Sequence, residues 1–254
     1  MIVTLQDEVT AEIVLGTYLP LVPRWDDCFR WLIAAPWRTA EKHERFCVES
    51  LGSGDCLAHE WDELLFGQDN KLLRGIWFHV PETDTSSPEI LTRWLDRPPL
   101  VGSLRLGGVE NWGQERTDHR WLAPSGDYLA GVYEAALTPA SDAFRLQIAP
   151  DLDLLFADGI FRGWLLTNPT CYMGDSDQPR PRVKDSNVVA LVHEYLNIVS
   201  EPNIDAMLKS DPKLLAVLED FHTRVKRLSD GSPEYDVLLE CVEDMLDYYY
   251  DKKL

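Results

Sequence analysis

His43 and Cys47 stand four residues apart, and Cys56 and His59 follow beyond the turn Gly52-Ser53-Gly54. Two helical pairs on either side of a tight turn would offer the four imidazole and thiolate donors that structural zinc takes in tetrahedral array. The order is not the usual one, in which cysteines sit on a knuckle and histidines on a helix. The eight residues between Cys47 and Cys56 also leave little chain for the turn. Phe46, Leu57 and Trp61 beside these residues suit an ordinary packed hairpin, where cysteine is simply a small buried side chain. The packed hairpin is the preferred reading, and no metal or cofactor is expected.

A second set is Asp151, Asp153 and Asp158. Asp-x-Asp in a strand turns two carboxylates to one face, as a hard divalent cation requires. With His119, in the long loop from Gly107 to Asp127, Asp151 and Asp153 would make a metal-assisted hydrolase, which is the alternative function. Leu152, Leu154 and Phe156 alternate with the acids as they would in any half-buried strand, so a solvated face is preferred. Other catalytic patterns are absent from the sequence. There is no G-x-S-x-G elbow, and neither Gly52-Ser53-Gly54 nor Gly107-Gly108 has the lysine of a phosphate loop. His79 reads as a packed strand residue, and His193-Glu194, within a helix whose apolar face carries Val192 and Leu196, as a surface or boundary pair.

The strongest signal is charge. The 254 residues hold 43 Asp and Glu against 24 Lys and Arg, a formal net charge of -19. This balance argues against non-specific binding to nucleic acid or anionic membrane and points to a basic protein as partner. Asp236, Glu240, Glu243, Asp247 and Asp251 recur at helical steps, which puts five carboxylates on one side of a helix. Glu234 and Asp236 are welcome at a helix N-terminus, but Asp247 and Asp251 lie at the end where negative charge is unfavourable. Like charges four apart cost about 0.2–0.5 kcal/mol per pair, with only Lys252 and Lys253 nearby to offset them. Tyrosine beside carboxylate is a common makeup for surfaces that meet arginine. Asp236, Glu240, Glu243, Asp247, Tyr248, Tyr250 and Asp251 are therefore the candidate partner-binding residues.

The elements that must carry these residues divide the chain in character. Residues 1–170 hold every tryptophan and read as a sheet-bearing region with strands at 2–5, 12–19, 75–80, 100–106, 128–137, 143–148, 152–156 and 160–166. The last four read as a meander. Helices are expected at 39–49, 55–66 and 88–95. Residues 171–185 read as a linker or long surface loop, and 186–254 as an acidic helical region that packs separately or into the same domain. Its helices open at Ser186, at Ser200-Glu201-Pro202, at Asp211-Pro212 and at Ser232-Pro233, where a cap followed by proline suits the unpaired N–H groups of a first turn. Ser229-Asp230-Gly231 turns the last two helices antiparallel. The fold class is α+β, a mainly antiparallel sheet with flanking helices followed by a C-terminal antiparallel bundle. Five scattered cysteines without a CxxC pair, and an acidic start without a signal pattern, point to a reducing cytoplasm.

Glu12, Leu15-Gly16 and Leu19-Pro20 resemble the opening of the bacterial immunity proteins related to yeast cell-wall-synthesis regulators, over less than a tenth of the chain. The later glycine and aromatic pattern of that family is not found. The resemblance implies an acidic α+β domain that plugs a toxin. The expected function is an acidic cytoplasmic binding protein that neutralises a basic partner, as a toxin-immunity protein does. Besides the hydrolase, the other alternative is an inhibitor that mimics nucleic acid.

Overall fold

The computed structural model describes residues 1–26, 28–53, 61–138, 140–174, 176, 178–181 and 185–252. Strands β1 (Ile2–Gln6) and β2 (Val9–Leu15) form a hairpin, and β2 stops where Gly16 takes a φ of 79°. Next come β3 (Arg24–Asp26), β4 (Trp31–Ala34), α1 (Ala40–Val48), β5 (Ser50–Gly52), β6 (Glu63–Gly67) and β7 (Leu73–His79). These five strands make one antiparallel sheet in the order β3-β4-β7-β6-β5. A 3-10 turn (Pro88–Leu91) and the short α2 (Thr92–Leu95) lead to β8 (Leu100–Leu106), β9 (His119–Leu122) and β10 (Tyr128–Val132). The sheet region ends with β11 (Ala143–Ala149), β12 (Leu152–Ala157) and β13 (Ile160–Thr167).

The second sheet has eight strands in the order β1-β2-β8-β11-β12-β13-β10-β9. It is mixed, since β8 and β11 run parallel and β1 meets β13 in parallel at Thr4 and Ile160. That last pairing closes the strands from β1 to β13 into a ring. Gly163 of β13, at φ 139°, permits the close approach of β10 outside the ring, because a Cβ there would lie 2.1 Å from the Gly131 carbonyl oxygen. Only a residue without a side chain fits.

Three expectations change. Residues 63–66, read as helix, belong to strand β6, and residues 55–60 of that expected helix lie outside those described. An unbroken apolar run such as Leu64-Leu65-Phe66 suits either state, and pairing with β7 decides it. The expected strand at 128–137 ends at Val132, after which Glu134–Leu137 forms a 3-10 turn. The meander holds for β11, β12 and β13, but β10 joins the far side of β13 instead of pairing with β11.

Helices α3 (Ser186–Ile198), α4 (Glu201–Leu208), α5 (Pro212–Leu228) and α6 (Pro233–Tyr250) follow. Asp185 caps α3 by accepting from the Asn187 N–H, and Asp211 caps α5 by accepting from Lys213. The Tyr250 hydroxyl at the end of α6 donates to the Asp211 carbonyl at the start of α5, so these two helices run antiparallel. The apolar sides of the bundle enter the core of the sheets. One continuous cluster joins Leu104, Leu154 and Trp164 of the mixed sheet to Trp25, Leu64 and Phe78 of the other, and to Tyr195, Phe221, Leu238 and Val242 of the helices. No helix is long and apolar enough to cross a membrane among the described residues.

Arg120 on β9 pins the bundle to the sheet. It is 2% exposed, donates to the Leu196 carbonyl at 2.6 Å and pairs with Asp84 at 2.7 Å. A cation at the last turn of α3 also complements the helix dipole. Because Asp84 is largely solvated, it tolerates loss of the pair, whereas the Leu196 carbonyl loses its buried donor. Arg120→Met should cost about 2 kcal/mol, measured as a lower urea midpoint with an unchanged denaturant slope.

Candidate functional site

Helix α6 divides its residues by periodicity. Tyr235, Leu238, Cys241, Val242, Met245 and Leu246 are buried. Asp236, Glu240, Asp244 and Asp247 occupy the exposed arc, and Tyr248 is 80% exposed. Among the described residues, none of these four acids forms an ion pair, and neither does Asp251. Charge is relieved only around them, where Glu234 lies 4.0 Å from Arg180, Glu243 accepts from His222 at 2.9 Å and Lys252 pairs with Glu219 of α5. Of the residues expected to bind a partner, Glu243 is therefore half-engaged within the bundle. Tyr250 is tied to Asp211, and Asp251 ends the helix in a left-handed conformation with φ 52°.

The C-terminal half of this arc opens onto a cleft of about 640 Å³. Asp244, Asp247, Tyr248 and Tyr249 form one wall, Cys28 and Arg30 of the turn after β3 form another, and Glu82 closes the side. Burial opposes the ionisation of Glu82, but its hydrogen bond to His79 at 3.1 Å, the attraction of His79 and Arg116 and its own backbone N–H together outweigh that and hold the carboxyl below its ordinary range. Burial pushes the Tyr249 hydroxyl up, with Arg30 opposing, so it stays a neutral donor. Three carboxylates and two tyrosines facing one space can take a guanidinium or ammonium group. Asp244, Tyr249 and Glu82 escaped the sequence reading. Asp244 lies one residue and Tyr249 two residues off the stripe, and Glu82 is distant in the chain.

A second cluster lies under α1. His43 and Cys47 share one helix face, as their four-residue spacing dictates, and meet the buried Glu63 of β6. His43 Nε2 is 2.7 Å from Glu63 Oε2 and 3.2 Å from Cys47 Sγ, while Sγ is 3.9 Å from Oε2. Trp37 and Trp77 pack on the imidazole at ring distances of 4.9 and 4.4 Å. Cys56 and His59, the other half of the expected zinc set, lie outside the described residues. Glu63 was concealed by the helical reading of its segment. Beside it, burial raises the Asp62 carboxyl to about 8 against the opposing hydrogen bond from the His79 N–H.

No family model, curated protein or solved structure matches this chain.

The aspartates expected in a cation site are each held elsewhere. Asp151 sits outside the strand at φ 58° and accepts from the Tyr172 hydroxyl at 2.9 Å. Asp153 pairs with Arg145 at 3.0 Å, and Asp158 accepts from the Ser141 hydroxyl and the Asp142 N–H in a turn. His119 belongs to β9, not to a loop, and its ring pairs with Glu134. These residues do not converge on one point among the described residues. His193 approaches the Ala123 carbonyl at 3.1 Å, and Glu194 is held by Arg224 of α5.

Asp153 carries a pH signature. Burial raises its carboxyl to about 6 although Arg145 acts in the other direction. The folded chain therefore keeps this proton to higher pH than the unfolded chain, whose aspartate titrates near ~3.9. The stability it contributes is fully present below that value and is lost as pH rises through about 6. Asp153→Asn should remove this decline. Urea unfolding of both chains across this range should show the variant gaining on the wild type as pH rises, and parallel profiles would contradict the assignment.

Proposed function

We propose that this chain is a binding protein that neutralises a basic protein partner through the exposed face of α6, and that the partner is a bacterial toxin effector. The observation that carries the reading is the row Asp236, Glu240, Asp244 and Asp247, unpaired among the described residues and running beside Tyr248 into a cleft lined by further carboxylate. A row of like charge along one helix is costly in isolation, and an arriving row of Arg or Lys side chains relieves it. Long-range attraction speeds the encounter, and desolvated pairs around Tyr248 and Tyr249 supply the anchoring. The toxin assignment rests in addition on the overall makeup, an acidic, tryptophan-rich α+β chain with a formal charge of -19.

The test begins with the product of the adjacent gene, expressed with and without this protein. Protection from its toxicity and a direct complex are expected, with an association rate that falls by about tenfold or more between low and high salt. Charge reversal of Glu240, Asp244 and Asp247 to Lys should slow association and abolish most of the salt dependence while leaving the fold intact. Glu243 is spared because it pairs with His222. Unchanged association in the reversed chain would remove the role assigned to α6.

A further inference from the structure

We propose that His43, Cys47 and Glu63 form a zinc site that is separate from the acidic face of α6. All three donor atoms lie within 4.8 Å of one another beneath α1. Both Cys47 and Glu63 address the same imidazole nitrogen, Nε2. This distinguishes the cluster from a catalytic relay, in which thiol and carboxylate take opposite nitrogens of the ring. One Nε2 carries at most one proton or one lone pair, so it serves Glu63 at 2.7 Å or Cys47 at 3.2 Å, while the thiol also faces the Glu63 carboxylate. A cation at the meeting point removes the competition, since nitrogen lone pair, thiolate and carboxylate can all point at it.

The distances fit that centre. Donors at zinc's usual bond lengths stand about 3.3–3.6 Å apart in a tetrahedron. The edges here are 2.7, 3.2 and 3.9 Å, so small side-chain shifts suffice. Charge fits as well. A thiolate and a carboxylate, both nearly excluded from water, balance the two positive charges of the ion, and the imidazole enters neutral. On binding, Cys47 surrenders its thiol proton and the His43–Glu63 pair the proton held between them, both to solvent, with no change of oxidation state. Sulfur and imidazole among the donors favour zinc over calcium or magnesium, which take oxygen. Trp37 and Trp77 fix the ring by packing on it, and three protein donors leave one position of the tetrahedron for a fourth.

Zinc and cobalt(II) salts are the probes, applied to the full chain after treatment with chelator. Zinc is expected to bind stoichiometrically and raise the melting temperature. Cobalt(II) should give visible d–d bands and a near-ultraviolet sulfur-to-cobalt charge-transfer band. Cys47→Ser should lose the charge-transfer band, and Glu63→Gln and His43→Gln should lose the zinc-dependent rise in melting temperature. A charge-transfer band that survives Cys47→Ser places the metal on another thiol and overturns the proposal, as does a wild-type chain that binds neither ion. If Cys47→Ser does not fold, zinc-edge absorption of the wild-type chain decides. Sulfur at about 2.3 Å together with nitrogen or oxygen donors supports the site, and a shell without sulfur overturns it.

Discussion

The architecture depends on a strained turn held by aromatic side chains. After β3 the chain passes through Cys28 and Phe29, whose φ angles of 53° and 66° are both left-handed. Such conformations cost roughly 1–3 kcal/mol each for residues with side chains, so the surroundings must impose them. Here they do. Trp25 donates its indole N–H to the Phe29 carbonyl at 3.0 Å, and Phe29 packs between Trp25, tilted, and Tyr195, edge-on, which in turn meets Phe221. The Tyr195 hydroxyl then donates to the Cys28 carbonyl at 3.3 Å. This column joins the five-stranded sheet to α3 and α5. Because the turn cannot relax, Cys28 and Arg30 are presented to α6 as a fixed wall.

The fate of α6 follows from that packing. Its apolar side is consumed by the core, with Tyr235, Leu238 and Val242 no more than 1% exposed, so its rotation is set without regard to charge. The carboxylates then have to face outward together. Burying each apolar side chain is worth about 1.5–3 kcal/mol, several times the cost of a like-charge pair on a helix surface. Hydrophobic burial therefore wins. Glu243, at the edge of the arc, escapes by pairing with His222, while the residues at its centre have no neighbour to pair with among those described.

Much of this was legible from residue order alone. The helices from Asp185 onward announce themselves by a capping residue, joined by proline in the last three, because the chemistry that starts a helix is local. Strands β8, β11, β12 and β13 were equally visible as runs bounded by turns. The short strands β3, β4, β5 and β9 were not, since three or four residues carry too little pattern and their pairing partners lie far along the chain. Of the two clusters, the acidic face was readable because a single helix carries it. The cleft beside it was not, as Glu82, Arg30 and Asp247 meet only through the tertiary fold. His43 and Cys47 declared themselves through their helical spacing, and Glu63 joined them only once β6 paired with β7.

The two clusters place negative charge under opposite physical conditions. On α6 the carboxylates stand in water, where screening keeps their mutual repulsion small, so the fold can leave them unpaired at modest cost. Under α1 a carboxylate and an ionisable thiol share a site from which water is almost absent, and Glu63 is only 2% exposed. An uncompensated anion there would cost several kcal/mol. The site must therefore stay neutralised within the folded chain, either by a proton held between the imidazole and the carboxylate with the thiol intact or by a cation that all three donors share. The exposed face can await a partner, whereas the buried triangle must be balanced whenever the chain is folded. Binding of a partner at α6 and binding of a metal at α1 should consequently be independent equilibria, one governed by salt and the other by the protons that the three donors give up.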